Sequence, residues 1–213
     1  MSVEQKVIYF TGLVVAVILH EISHGIVALW FGDETAKKAG RLTLNPIPHL
    51  DPLGSVILPA FGALSGIPVI AWAKPVPVNP SLLRNPRRDM LWVGLVGPFT
   101  NFALMAAAAV VARAIFRGLS NAPFALADFP LGFQIAYYFA LANLFLGIFN
   151  LLPIPPLDGS SLLERILPET WLPHWYRFRP YGIMVLFALV FFTPILQKVI
   201  NPFENRLNDF IFL

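Results

Sequence analysis

The stretch "VILHEISHGIVALW", residues 17–30, places two histidines and a glutamate inside a run that is otherwise apolar enough to lie in lipid. His20 and His24 are four residues apart, so on a helix they share one face, roughly 40° apart at 100° per residue. One metal ion can take a ring nitrogen from each. Glu21 sits about 100° round the helix from His20, close enough to reach a water on that ion without filling a coordination position. The plain alternative is a pair of buried core histidines. That alternative is costly in hydrocarbon, where ionisable groups are expensive and mark functional sites.

Composition gives that argument its force. Of 213 residues, 57% are hydrophobic and 13% charged, and mean hydropathy is +0.68, which is the profile of a polytopic membrane protein and not of a water-soluble domain. The net charge of +3 comes without a long basic run, so a nucleic-acid partner is excluded and the basic clusters read as topology signals. Cysteine is absent, which removes disulfides, thiolate nucleophiles and thiolate ligands. Lys6 followed by an apolar run resembles a secretion signal, but the run continues past His20 to Phe31 with no A-x-A cleavage site, so it reads as mature protein.

A membrane-spanning helix takes about 20 apolar residues. That criterion predicts spans over 7–32, 90–114, 132–153 and 181–200. The stretch 53–73 is also long and apolar, but Gly54, Pro59, Gly62, Gly66 and Pro68 interrupt it, so it reads as a broken or re-entrant segment that needs other protein around it. Residues 39–51 and 73–83 alternate apolar and polar positions and carry prolines, which predicts short edge strands or extended loops. The expected fold is an all-α polytopic membrane protein with about five to six membrane segments, one of them broken or re-entrant, and short β-strand pieces near the site, in one domain over 1–213.

Charge sets the expected topology. If 53–73 is re-entrant, ten of the fifteen basic residues, those within 37–88 and 165–179, share one side, and Lys6, Arg113, Arg117, Lys198 and Arg206 lie opposite. The richer side belongs in the cytoplasm. Trp30, Trp72, Trp92, Trp171 and Trp175 then gather near that face, where tryptophan anchors well. A full crossing at 53–73 gives no such bias.

The spacing in HEISH, residues 20–24, is the H-E-x-x-H arrangement of zinc hydrolases, with the glutamate as general base. Catalytic zinc takes three protein ligands and one open position. His49 and His174 are poorly placed to be the third. Asp158 is better, because it follows a long apolar helix and precedes Gly159, where the chain can turn; an ordinary Asp-Gly turn is the alternative. In the re-entrant arrangement the first helix and 132–153 run in the same direction, so His24 and Asp158 reach one depth; with a full crossing they lie apart. Asn101 and Asn150 are amides among apolar residues, read either as interhelical hydrogen bonds or as groups that bind peptide backbone or a developing oxyanion. Asp51 reads as a turn cap, and Gly62 with Gly66 as a helix-packing pair.

"HEISHG" at 20–25, "GPFTN" at 97–101 and "NLLPIPPLDG" at 150–159, in that order and each on its own apolar segment, resemble the site-2 protease family of membrane-embedded zinc metalloproteases. "RLTLNPIPHLDPLG" and "AKPVPVNP" are similar to its compact bacterial and archaeal branch, and the resemblance covers nearly the whole chain. It implies one zinc ion held by His20, His24 and Asp158, with Glu21 as catalytic base and Asn101 and Asn150 near the substrate. It also implies peptide-bond hydrolysis in or near the transmembrane segment of a membrane-protein substrate; with the charge bias above, the expected setting is a multi-pass protein of the cell membrane with its site towards the cytoplasm. The strand-like pieces would hold an unwound substrate by edge pairing. A homo-oligomer is compatible with this reading. The chain departs from other members in showing no PDZ or CBS domain and in placing the HEISHG helix first. A metal transporter would need ligands on several helices along a path, and an inactive scaffold would be expected to have lost Glu21 or a ligand.

Overall fold

The computed structural model describes residues 1–57, 61, 72–120 and 125–213. Three helices in it are long and apolar enough to cross a membrane. Helix α1 (Val3–Trp30) opens with a capping box in which Ser2 and Gln5 satisfy each other's backbone N–H. It closes at Gly32, whose φ of 107° favours glycine. After the single turn α2 (Thr35–Lys38), the second span is α3 (Pro86–Arg117). It starts with proline at its first position, and the Asp89 carboxylate accepts from the Asn85 N–H at 2.8 Å. The third span is α4 (Leu131–Asn150).

Contacts along these helices fix their directions. Tyr9 of α1 meets Tyr138 of α4 edge-on, and Gly12 packs on Phe139, so the two helices run the same way. Gly147 of α4 packs on Phe102 of α3, and Gly132 on Ile115, so α3 runs against both. The Arg84 N–H donates to Phe31 O at 3.1 Å, tying the end of α1 to the start of α3. The end of α1 and the start of α3 therefore lie at the same end of the helix bundle, the placement expected of the re-entrant arrangement. The broken segment itself falls largely on residues 58–60 and 62–71, outside the described residues, as do Gly62 and Gly66.

Beyond α4 follow α5 (Ser160–Ile166), α6 (Leu172–Phe178), α7 (Gly182–Phe192) and α8 (Ile195–Phe212). The span expected over 181–200 is not one helix. It breaks at Thr193, which takes extended φ and ψ of −136° and 150° before Pro194, as the residue preceding proline is driven to do. The two arms bend by 69°. The described residues therefore hold three helices of membrane-spanning length, or four if the bent pair is one span, which does not confirm the five to six segments expected. Leu207 and Ile211 of α8 close the core over Phe133 and Tyr137, and the Tyr137 hydroxyl donates to Asn208 Oδ1 at 3.0 Å.

The strand pieces are also corrected. Among the described residues there is no strand: 41–46 bends, Ile47–His49 forms one 3-10 turn, and 72–79 belongs to no helix or ladder. Prolines 46, 48, 75, 77 and 80 remove the donors a ladder needs.

Candidate metal centre

His20 and His24 project one turn apart from α1 towards α3 and the loop after α4. Their Nε2 atoms are 3.0 Å apart. Asp158 Oδ2 lies 3.0 Å from His20 Nε2 and 3.3 Å from His24 Nε2. Tetrahedral zinc with bonds of about 2.0–2.1 Å separates its ligand atoms by about 3.3 Å, so the triangle has nearly the size one ion requires.

Hydrogen bonding on the far side of each ring decides what these atoms offer. His24 Nδ1 donates to the backbone carbonyl of Val93, and His20 Nδ1 donates to Asn101 Oδ1 at 2.6 Å. With the ring proton on Nδ1, each neutral imidazole turns an Nε2 lone pair inward. Asp158 Oδ2 is buried and receives no hydrogen bond. With both rings neutral, the two Nε2 atoms and Oδ2 bring lone pairs together with no proton among them, an arrangement that a shared cation relieves, so this donor set fits zinc. Among the described residues, His20, His24 and Asp158 are the one group of His, Asp and Glu side chains close enough to share an ion. His49 is elsewhere, its Nε2 donating to Thr43 O, and His174 stands beside Trp171.

The approach of α3 depends on two glycines. A Cβ on Gly97 would lie 2.5 Å from His20 Cε1 and from His24 Nε2, and one on Gly94 would lie 2.3 Å from Ser161 Oγ and 3.3 Å from Asp158 O. Asp158 is carried by a loop that folds back on its own helix. The Gly159 N–H donates to Asn150 O at 2.7 Å, and Asp158 O accepts from both the N–H and the hydroxyl of Ser161. A Cβ at Gly159 would lie 2.2 Å from Leu151 O, so only glycine lets the chain pass.

Glu21 is half-buried, and its Oε2 accepts the Val76 N–H at 2.7 Å. Pro75 and Pro77 on either side have no N–H to offer. The segment carrying Val76 is strapped down: Arg41 Nη2 donates to the carbonyls of Lys74 and Pro75, the Lys74 N–H to His49 O, and the Asn79 N–H to Asp33 Oδ2. Asp33 also accepts from the N–H and hydroxyl of Thr35. Burial pushes its carboxyl pKa up, but these bonds outweigh burial and hold it below the usual carboxylate value.

Asn101 has no exposed surface, and both ends of its amide are committed, Oδ1 to His20 and Nδ2 to Asn143 Oδ1 at 2.9 Å. It stands behind His20. Asn150 is half-buried where α4 turns into the Asp158 loop, with Nδ2 donating to Leu146 O. Asp51 caps the turn after it, accepting from Leu53 and Gly54 N–H. Sequence reasoning missed Asn143 and the Val76 N–H, and saw Gly97 only within GPFTN. Asn143 left a signal of its own, an amide in the middle of an apolar helix.

Comparison with known proteins adds a family. The sequence profile of peptidase family M50 matches residues 130–193. The chain is 36% identical over 200 residues to YwhC of Bacillus subtilis, named as a candidate zinc metalloprotease; the match covers 93% of this chain and 86% of that one. It is 34% identical over 166 residues to Rip2 of Mycobacterium tuberculosis, likewise a candidate zinc metalloprotease, covering 77% of this chain and 59% of Rip2. With the zinc metalloprotease MJ0392 of Methanocaldococcus jannaschii it shares 25% identity over 164 residues, 35% of that protein's length. No solved structure matches the chain.

Proposed function

The chain belongs to peptidase family M50, the zinc metalloproteases of the site-2 type, and from that premise we propose that it hydrolyses peptide bonds in or near transmembrane segments of membrane-protein substrates. The observation that carries the reading is the place of the His20, His24 and Asp158 cluster: two ligands lie in the second half of a membrane-length helix and the third just past the end of another. Among the described residues there is a single such cluster and not a succession of them across the bilayer, which favours hydrolysis over metal transport.

His20, His24 and Asp158 would hold the zinc ion. Bound zinc lowers the pKa of its water towards neutrality and polarises the substrate carbonyl. Glu21 takes the proton from the attacking water and returns it to the leaving amine. The Val76 N–H holds Oε2 and so turns the carboxylate, leaving Oε1 for the proton. An apolar cavity of about 390 Å³ between α1 and α4 includes Val17, one turn before Glu21, together with Ile18, Leu146 and Phe149; its lining suits apolar substrate side chains. Asn150, at the mouth of the Asp158 loop, is assigned to the substrate side. The cytoplasmic orientation of the site rests on charge and tryptophan placement.

The test uses a single-span model peptide with Gly and Asn in its span, reconstituted with the protein in liposomes. Cleavage within or beside the span, abolished by a zinc chelator and restored by zinc, is expected. Hydrolysis confined to water-soluble peptides would contradict membrane-segment specificity.

A further inference from the structure

The carbonyl oxygen of Phe139 can only accept a hydrogen bond. Asn143 therefore turns its Nδ2 towards it, at 2.9 Å, and presents Oδ1 to the neighbouring helix. Asn101 answers with its own Nδ2 at 2.9 Å, which leaves Oδ1 facing His20 Nδ1 at 2.6 Å. One backbone carbonyl on α4 thus sets the direction of a chain of amides that ends on α1. Asn143 and Asn101 are 0% exposed and His20 is 6% exposed, so in the intact protein each link is made by protein and not by bulk water.

We infer that Asn143, which is fully buried and bonds to Asn101 and to Phe139 O, is a positioning residue that fixes the tautomer of His20 through Asn101 and so keeps its Nε2 free for zinc. The inference rests on the metal-centre reading above. Without the Asn143 amide, no other hydrogen bond among the described residues selects between the two orientations of Asn101. In the reversed one, Nδ2 faces His20, the ring moves its proton to Nε2, and the ligand lone pair is lost. His24 needs no such chain, because Val93 O fixes it directly, and it serves as an internal control.

The test uses the full-length protein in detergent, with zinc affinity read by competition against a chromophoric chelator and tautomers read from imidazole 15N shifts of the zinc-free protein. Asn143→Leu is expected to weaken zinc binding about 10–100-fold, the range for outer-shell partners, and to move His20 towards the Nε2–H form while His24 stays Nδ1–H. Asn143→Ala carries the same expectation without the bulk, so one variant failing to fold leaves the test standing. Asn101→Ala also weakens binding, and adding Asn143→Leu to it costs nothing more. Wild-type zinc affinity in both Asn143 variants, or losses that multiply in the double variant, would overturn the inference alone. A wild-type protein that binds no zinc would overturn the metal centre beneath it.

Discussion

Glu21→Gln leaves zinc bound at the wild-type level and lowers peptide hydrolysis by about 10²–10⁴-fold, the range a positioned general base supplies. Glutamine has the shape of glutamate and keeps an acceptor for the Val76 N–H that holds Oε2 at 2.7 Å. What it loses is the ability to take a proton from water. Because Glu21 is not among the three converging ligand atoms, the metal content should not follow the activity. Turnover of the single-span peptide and zinc by atomic absorption, measured on the same preparation, separate the two. Activity within a few-fold of wild type would remove Glu21 from the mechanism.

The second large effect belongs to a residue with no functional group. Gly97→Ala adds one methyl to α3 at a point 2.5 Å from both His20 Cε1 and His24 Nε2. Neither ring is free to retreat, since each Nδ1 is held on its far side, by Asn101 and by Val93 O. The expected result is loss of zinc binding in a protein that still inserts and stays helical, because alanine favours a helix interior over glycine by up to about 1 kcal/mol. Gly132→Ala is the control. Its Cβ would meet only Ile115 Cδ1 at 3.7 Å, an ordinary contact, so zinc binding should be unchanged. Zinc bound normally by Gly97→Ala would mean that α3 does not press on the two rings.

These two residues differ in how readable they are. The metal-ligand candidates were legible because their signals are local: four-residue spacing at His20 and His24, and a turn after an apolar helix at Asp158. Their convergence was legible too, since it follows from α1 and α4 running in parallel, which the basic residues favoured. Gly97 was seen only as part of "GPFTN", because what it makes room for lies on another helix. Asn143 reads as any amide in a membrane bundle, and its role appears only once Phe139 O, Asn101 and His20 are placed in line. Alternation of apolar and polar residues around 39–51 and 73–83 suggested strands, but the prolines that interrupt it decide the backbone, leaving the latter as a strap over Glu21. The apolar run over 181–200 hid its break at Pro194, where hydropathy is uninformative and the missing N–H is not.

Zinc content of the purified protein, compared between wild type and Asp158→Ala, addresses the metal centre most directly. One zinc per wild-type chain, falling sharply when Asp158 is removed, is the expected result, since that carboxylate closes the triangle at 3.0 and 3.3 Å from the two Nε2 atoms. Zinc retained in full by Asp158→Ala would contradict it, and with it the convergence of α1 and the loop after α4 on a single ion.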